Sequence, residues 1–167
     1  MRRALVPLLL VLAACAQNPV TTVIVVRHAD RESQAQNSPL SAAGMERANE
    51  LARMLAGVPV AAIYVTPFLR TQQTAAPLAR AGHITPVIVT TGKDYPQRLA
   101  QEILARSRGE TAVVVTHGDI LPDVLRALGV PNPPSVPATE YDDLFVCSVD
   151  GSEPARLLAL RYGAVKR

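Results

Sequence analysis

Tryptophan is absent, six aromatic residues in all are present, and only two cysteines, Cys15 and Cys147, occur in 167 residues. No block of basic residues with interleaved aromatics is found, and the basic pair at the end, Lys166 and Arg167, is too short to form one. These absences exclude the usual nucleic-acid footprint. The formal charge of +3 does not restore it. Of the 17 Lys and Arg, Arg2 and Arg3 sit at the extreme N-terminus, which leaves 15 against 14 Asp and Glu in the remainder. A disulfide scaffold is excluded as well, because one of the two cysteines has another expected fate.

The chain also lacks an apolar run long enough to cross a bilayer, for which ~20 residues are needed. It has instead a short run, Ala4 to Leu12, interrupted by Pro7, preceded by Arg2 and Arg3 and followed by Ala13, Ala14 and Cys15. A charged n-region, an apolar h-region and a small-residue cleavage site in that order read as a signal peptide. Leu12, Ala13, Ala14 and Cys15 resemble the lipobox of bacterial lipoproteins, in which the cysteine carries lipid and becomes the first mature residue. The expectation is therefore a removed segment at residues 1–14, a lipidated Cys15 with a tether at 15–21, and one domain at 22–167. The plain alternative is an ordinary signal peptide with Cys15 incidental and a soluble periplasmic product. Removal of 14 of the 167 residues leaves 153, enough for one core and too few for two.

Within the domain, apolar β-branched runs alternate with stretches of helical period. Val23 to Val26 is a continuous run of the kind buried on both faces of a sheet. Ser41 is a candidate N-cap for a helix carrying Met45, Ala48, Ala52 and Leu55, stopped near Gly57. Ala62 to Val65 forms a second strand, with Thr66 and Pro67 as cap and first turn of a helix from about Phe68 to Arg80 that Pro77 should kink or shorten. Val87 to Val89, a helix opened by Pro96, Val113 to Val115 and a helix from Ile120 to Leu128 follow. Val130 to Pro137 is a stiff proline-rich loop, and Leu144 to Val149 and Arg156 to Leu160 are two last strands joined through Asp150 and Gly151. Such alternation predicts an α/β domain with a mostly parallel sheet covered on both faces.

Ligands of open α/β sheets bind beyond the carboxyl ends of the strands. Arg27 and His28, then Arg70, then His117 all fall at that level after successive strands. Gly118 permits close backbone approach, and free N–H groups around Asp119 and Ile120 would add to a site for an anion, with Arg70 able to bind phosphate through its fork. Each residue alone also has a plain reading, as a surface ion-pair partner or a hydrogen-bonded bystander; recurrence at one level of the sheet favours a phosphate site. His83 lacks such support and is read as structural.

Val26, Arg27, His28, Ala29 and Asp30 resemble the Arg-His signature of the histidine phosphatase, or phosphoglycerate mutase-like, superfamily. Leu40, Ser41 and Gly44 resemble its next segment. Tyr64, Thr66, Pro67, Leu69, Arg70, Thr71, Gln73, Thr74 and Ala75 resemble its second arginine motif, and Val115 to Gly118 its second-histidine motif. The segment Glu140 to Leu144 is similar to that of short bacterial members. The resemblance implies a three-layer α/β/α sandwich and phosphoryl transfer without a metal or other cofactor. In it His28 is the nucleophile, while Arg27, Arg70 and His117 neutralise the phosphoryl oxygens.

The short interval from Thr71 to Thr116 lacks the long insertion of the mutase branch and favours a phosphatase that hydrolyses small phosphomonoesters, or a phosphoramidate, through a phosphohistidine on His28; the expected export signal places it in the bacterial envelope. Asp119 is the first candidate for the general acid, against a plain role as helix cap; Asp30, Glu32 and Glu140 are alternatives. Two rivals stand beside this reading. One is a catalytically silent envelope protein that binds a phosphorylated ligand on the same fold. The other is a metallohydrolase using His28-x-Asp30 and His117-x-Asp119, which the neighbouring arginines disfavour.

Overall fold

The computed structural model describes residues 18–151 and 154–163. The expected signal peptide and Cys15 lie outside the described residues. Six strands and four helices follow in the order β1 (Thr21–Arg27), α1 (Ala42–Met54), β2 (Val60–Val65), α2 (Leu69–Gly82), β3 (Val87–Ile88), α3 (Tyr95–Arg106), β4 (Thr111–Thr116), α4 (Leu121–Ala127), β5 (Asp143–Val149) and β6 (Arg156–Arg161).

The sheet order is β3-β2-β4-β1-β5-β6. β1, β4, β2 and β3 run parallel to one another, and β5 and β6 add an antiparallel edge. The β-branched runs explain the centre: Val23 and Val25 face one apolar cluster with Leu99, Ile103, Leu121 and Leu125, while Ile24 and Val26 face a second with Leu51, Leu55, Ala75 and Leu78. Helices α1 and α2 thus cover one face and α3 and α4 the other, the three-layer α/β/α sandwich expected. Among the described residues no helix is long and apolar enough to cross a membrane.

The connection order sets the site. After β1 the chain moves outward to β2 and β3 and then returns to lay β4 between β2 and β1, so the carboxyl ends of β1 and β4 are neighbours at the point where the winding reverses. His28 N–H donates to Thr116 O at 2.8 Å, continuing the ladder one residue beyond the strand. The two histidine motifs, 89 positions apart in sequence order, therefore open on one crevice.

Local signals were partly reassigned. Ser41 caps α1 as expected, its hydroxyl accepting from Gly44 N–H at 3.2 Å. Gly44 is required by contact, since a Cβ there would stand 2.1 Å from Asp30 O. Thr66 and Pro67, by contrast, are not the cap of α2: Phe68 holds that position without a side-chain bond, and Thr66 faces inward. Pro77 does not shorten α2, which continues to Gly82 with the proline on its buried side. His83 ends that helix in a left-handed conformation with φ 53°, the structural role expected of it.

Candidate active site

Arg27, His28, Arg31, Phe68, Arg70, Thr91, His117, Gly118, Asp119 and Ile120 line a cavity of about 510 Å³ at the β1/β4 crevice, with Val136 and Ala138 of the proline-rich loop on its rim. All four residues expected to carry chemistry are brought together. The rings of His28 and His117 meet edge to face with centroids 5.4 Å apart.

His28 is buried, and its Nδ1 lies 2.8 Å from Ala29 O. A carbonyl only accepts, so Nδ1 carries the proton and Nε2 keeps its lone pair. Burial pushes the imidazole down to about 3, with repulsion from His117, Arg70 and Arg27 adding to it against the Ala29 hydrogen bond. The ring is therefore neutral and ready as a nucleophile at physiological pH. Ala29 in turn is fixed, its N–H donating to Thr74 Oγ1 at 2.9 Å, while Thr74 donates to Arg70 O at 2.7 Å. One side chain of α2 thus locks the first motif to the second.

His117 has the opposite tautomer. Arg70 Nη2 approaches its Nδ1 at 3.2 Å, and guanidinium has no lone pair to offer, so Nδ1 accepts and the proton sits on Nε2. Nε2 donates to Thr66 Oγ1 at 3.1 Å, Thr66 donates to Thr71 Oγ1 at 2.9 Å, and Thr71 ends the chain on Phe68 O and Thr66 O. Burial, followed by repulsion from Arg70, lowers His117 to about 4. Phe68 packs edge-on against it at 5.2 Å and lies under the Arg70 guanidinium at 4.6 Å.

Arg27 is held from behind. Its Nη1 donates to Pro137 O, Ala138 O and Glu140 O at 3.0, 2.9 and 2.7 Å, and its guanidinium stacks 4.1 Å above the Tyr141 ring. Its Nε and that of Arg70 are buried without a hydrogen-bond partner. Burial lowers both guanidinium groups from their ordinary values. Unanswered donors on desolvated cations make the crevice a receptor for an anion. Gly118 serves this arrangement, because a Cβ there would come 3.1 Å from Arg27 Nε and push the guanidinium aside.

Several expectations need correction. The N–H of Ile120 turns back onto His117 O at 3.1 Å, so it is not a free donor for the anion. Asp119 reaches the cavity and is exposed there, while α4 starts at Leu121 with Ile120 as N-cap and no side-chain cap bond, so Asp119 is not the helix cap. Asp30 leaves the group of acid candidates: its carboxylate is buried and paired with Arg47 Nε at 2.8 Å. Glu140 is paired with Arg161 at 2.7 Å, away from the cavity, and Glu32 is exposed on a loop that does not line it. The histidines of the two His-x-Asp patterns meet, but Asp30 is turned away to Arg47, and among the described residues no three His, Cys, Asp or Glu gather as metal ligands.

Sequence reasoning passed over Arg31, Phe68, Thr91 and Tyr141 as site residues. Phe68 and Tyr141 carry no reactive group, and Arg31 lies past the strand end where loop direction decides its position. Thr66, Thr71 and Thr74 were visible as motif letters, but the hydrogen bonds that explain them join residues up to 51 positions apart.

Residues 23–92 match the histidine phosphatase superfamily (branch 1). No curated protein matches the chain. Solved structures share the fold. The protein histidine phosphatase SixA complexed with tungstate is 18% identical, with 84% of this chain and 96% of that one covered at a TM-score of 0.67. A mycobacterial glucosyl-3-phosphoglycerate phosphatase is 15% identical, with 86% and 100% covered at 0.67. YhfR of Bacillus stearothermophilus is 22% identical, with 87% and 98% covered at 0.63. Residues 23–92 thus resemble the histidine phosphatase superfamily in sequence, and the domain shares its α/β/α fold with these solved structures.

Proposed function

We propose that the protein is a metal-independent phosphatase of the bacterial cell envelope that hydrolyses a small phosphorylated compound through a phosphohistidine on His28. The observation that carries this reading is the His28 imidazole, locked by Ala29 O with an unprotonated Nε2 beside two arginines whose buried Nε donors have no partner. Phosphatase names among the structural relatives support the reaction class.

In the first step His28 Nε2 attacks phosphorus in line, a P–N bond forms and the ester P–O bond breaks. Arg27 and Arg70 take the equatorial oxygens. When a phosphoryl oxygen draws Arg70 away, His117 Nδ1 faces an acceptor and must gain a proton to donate to it, which the phosphate dianion favours electrostatically. His117 thereby becomes a cationic donor only in the occupied site, where charge builds up. In the second step water attacks the phosphohistidine, the P–N bond breaks and inorganic phosphate leaves.

The alkoxide released in the first step needs a proton, and Asp119 is the carboxyl group that lines the cavity. A positioned acid contributes ~10²- to 10⁴-fold. Asp119→Asn should therefore slow alkyl phosphates by about that range, yet barely affect an aryl phosphate whose phenolate leaves unaided. Equal rate losses for the two substrate classes would remove Asp119 from the role. The wider reading is tested by His28→Ala, expected to abolish turnover with near-normal folding; near-normal turnover would reject it, and vanadate inhibition that vanishes with a chelator would revive the metal reading.

The location rests on residues 2–15. Cys15 at the end of a lipobox-like segment supports a lipid anchor, with the domain facing the periplasm. The membrane would be reached through that lipid and not through a spanning helix.

A further inference from the structure

One charged residue of the cavity has no part in the chemistry above. Arg31 lies four residues beyond the end of β1, tied by an isolated antiparallel bridge to Leu40. Its Nη2 donates to Gln34 Oε1 on the exposed side, and its Nε is buried without a hydrogen-bond partner. Among the described residues no carboxylate forms an ion pair with it. It stands close enough to Arg27 and Arg70 to oppose their charge.

The charges of the lining do not balance for a simple phosphate ester. Three guanidinium groups, Arg27, Arg31 and Arg70, face one carboxylate, Asp119. If Asp119 enters the reaction as a proton donor it is neutral at that moment, and with His117 cationic in the occupied site a phosphoryl dianion leaves two positive charges over. The space agrees, because about 510 Å³ is far more than a phosphoryl group fills and lies in the range of sites that enclose a whole small molecule. Phe68, Ile120 and Val136 give the remaining wall an apolar character.

We infer that Arg31 is a specificity residue, and that the substrate is a phosphomonoester whose leaving part carries a second anionic group, a carboxylate or a further phosphate, received by the Arg31 guanidinium. This inference rests on the phosphatase reading for the first subsite only. The second subsite would exist equally in a protein that binds such a compound without turning it over.

The test is binding to the His28→Ala protein, which holds ligands without consuming them. Phenyl phosphate is compared with its 3-carboxy and 4-carboxy derivatives by calorimetry at low and moderate salt. One added charge-assisted contact should make the better carboxy derivative bind about five- to tenfold tighter, a preference that shrinks as salt rises. Arg31→Gln in the same background should erase the preference and Arg31→Lys should restore part of it, which separates lost charge from lost folding. Equal affinity for all three esters, failure of any of them to bind, or a preference that survives Arg31→Gln would overturn the inference. Failure of the phosphatase reading looks different: the wild-type protein would show the carboxylate preference in binding and no turnover of any ester.

Discussion

Two neutral histidines are buried beside three arginines, and this has a cost that can be measured. His28 and His117 titrate at about 3 and about 4 in the folded chain, lowered mainly by burial, against about 6.5 when unfolded. Below pH ~6.5 the unfolded chain takes up protons at these sites and the folded chain does not, so the unfolded state gains. Stability should be fully retained above pH ~6.5 and fall as pH drops from there towards 4 and then 3. Urea midpoints at pH 7 and pH 5 measure the fall in a window where most carboxylates stay ionised. The variant His28→Gln with His117→Gln should show a flatter dependence; an unchanged slope would mean that the two rings are not held neutral. At this scale Arg27, His28, Arg70 and His117 were legible because reactive side chains recur at strand ends. The tautomers were not legible, since Ala29 O and the Thr66 and Thr71 hydroxyls act through geometry rather than residue type.

Among the elements, α1 is joined to the end of β1 by packing and by charge. Gly44 lets the helix approach Asp30 O, Ser41 N–H donates to the same carbonyl at 2.9 Å, and Arg47 brings its guanidinium to the Asp30 carboxylate and to Tyr162 O at 3.1 Å. Arg47 and Asp30 are 6% and 3% exposed in their side chains, so loss of one partner leaves the other charge in a desolvated place. Arg47→Met should lower unfolding free energy by roughly 3 to 5 kcal/mol, and adding Asp30→Asn should recover part of it. Denaturant titration of the single and double variants decides this; an effect under ~1 kcal/mol would show the pair to be solvent-screened. The same pair explains why Asp30 looked like an acid in the sequence and is not one here: its distance from His28 along the chain is two residues, but its partner lies 17 residues on. The strand and helix order was legible from period and β-branched runs. The Thr66 cap was misread, because threonine before proline suits a helix start and a buried hydroxyl relay equally well, and only the position of His117 distinguishes them.

For the whole molecule, the domain, the site and the proposed anchor are separable. Cys147 is buried, and burial pushes its thiol up to about 11, so it adds neither a reactive group nor a disulfide. The proposed location therefore rests on Cys15. The wild-type protein should partition with membranes, and Cys15→Ser should release a folded, equally active domain; fractionation and mass measurement of the mature N-terminus check this, and an unlipidated wild-type protein in the soluble periplasmic fraction would contradict it. The proposed reaction belongs to the crevice that β1 and β4 form by lying side by side in the sheet. Rapid acid-free quench of the wild-type protein with a phosphoryl-labelled ester, followed by peptide mapping, tests it most directly. The account predicts label on His28, stable to base, labile to acid and absent from His28→Ala; steady turnover with no labelled His28 at any time point would contradict it.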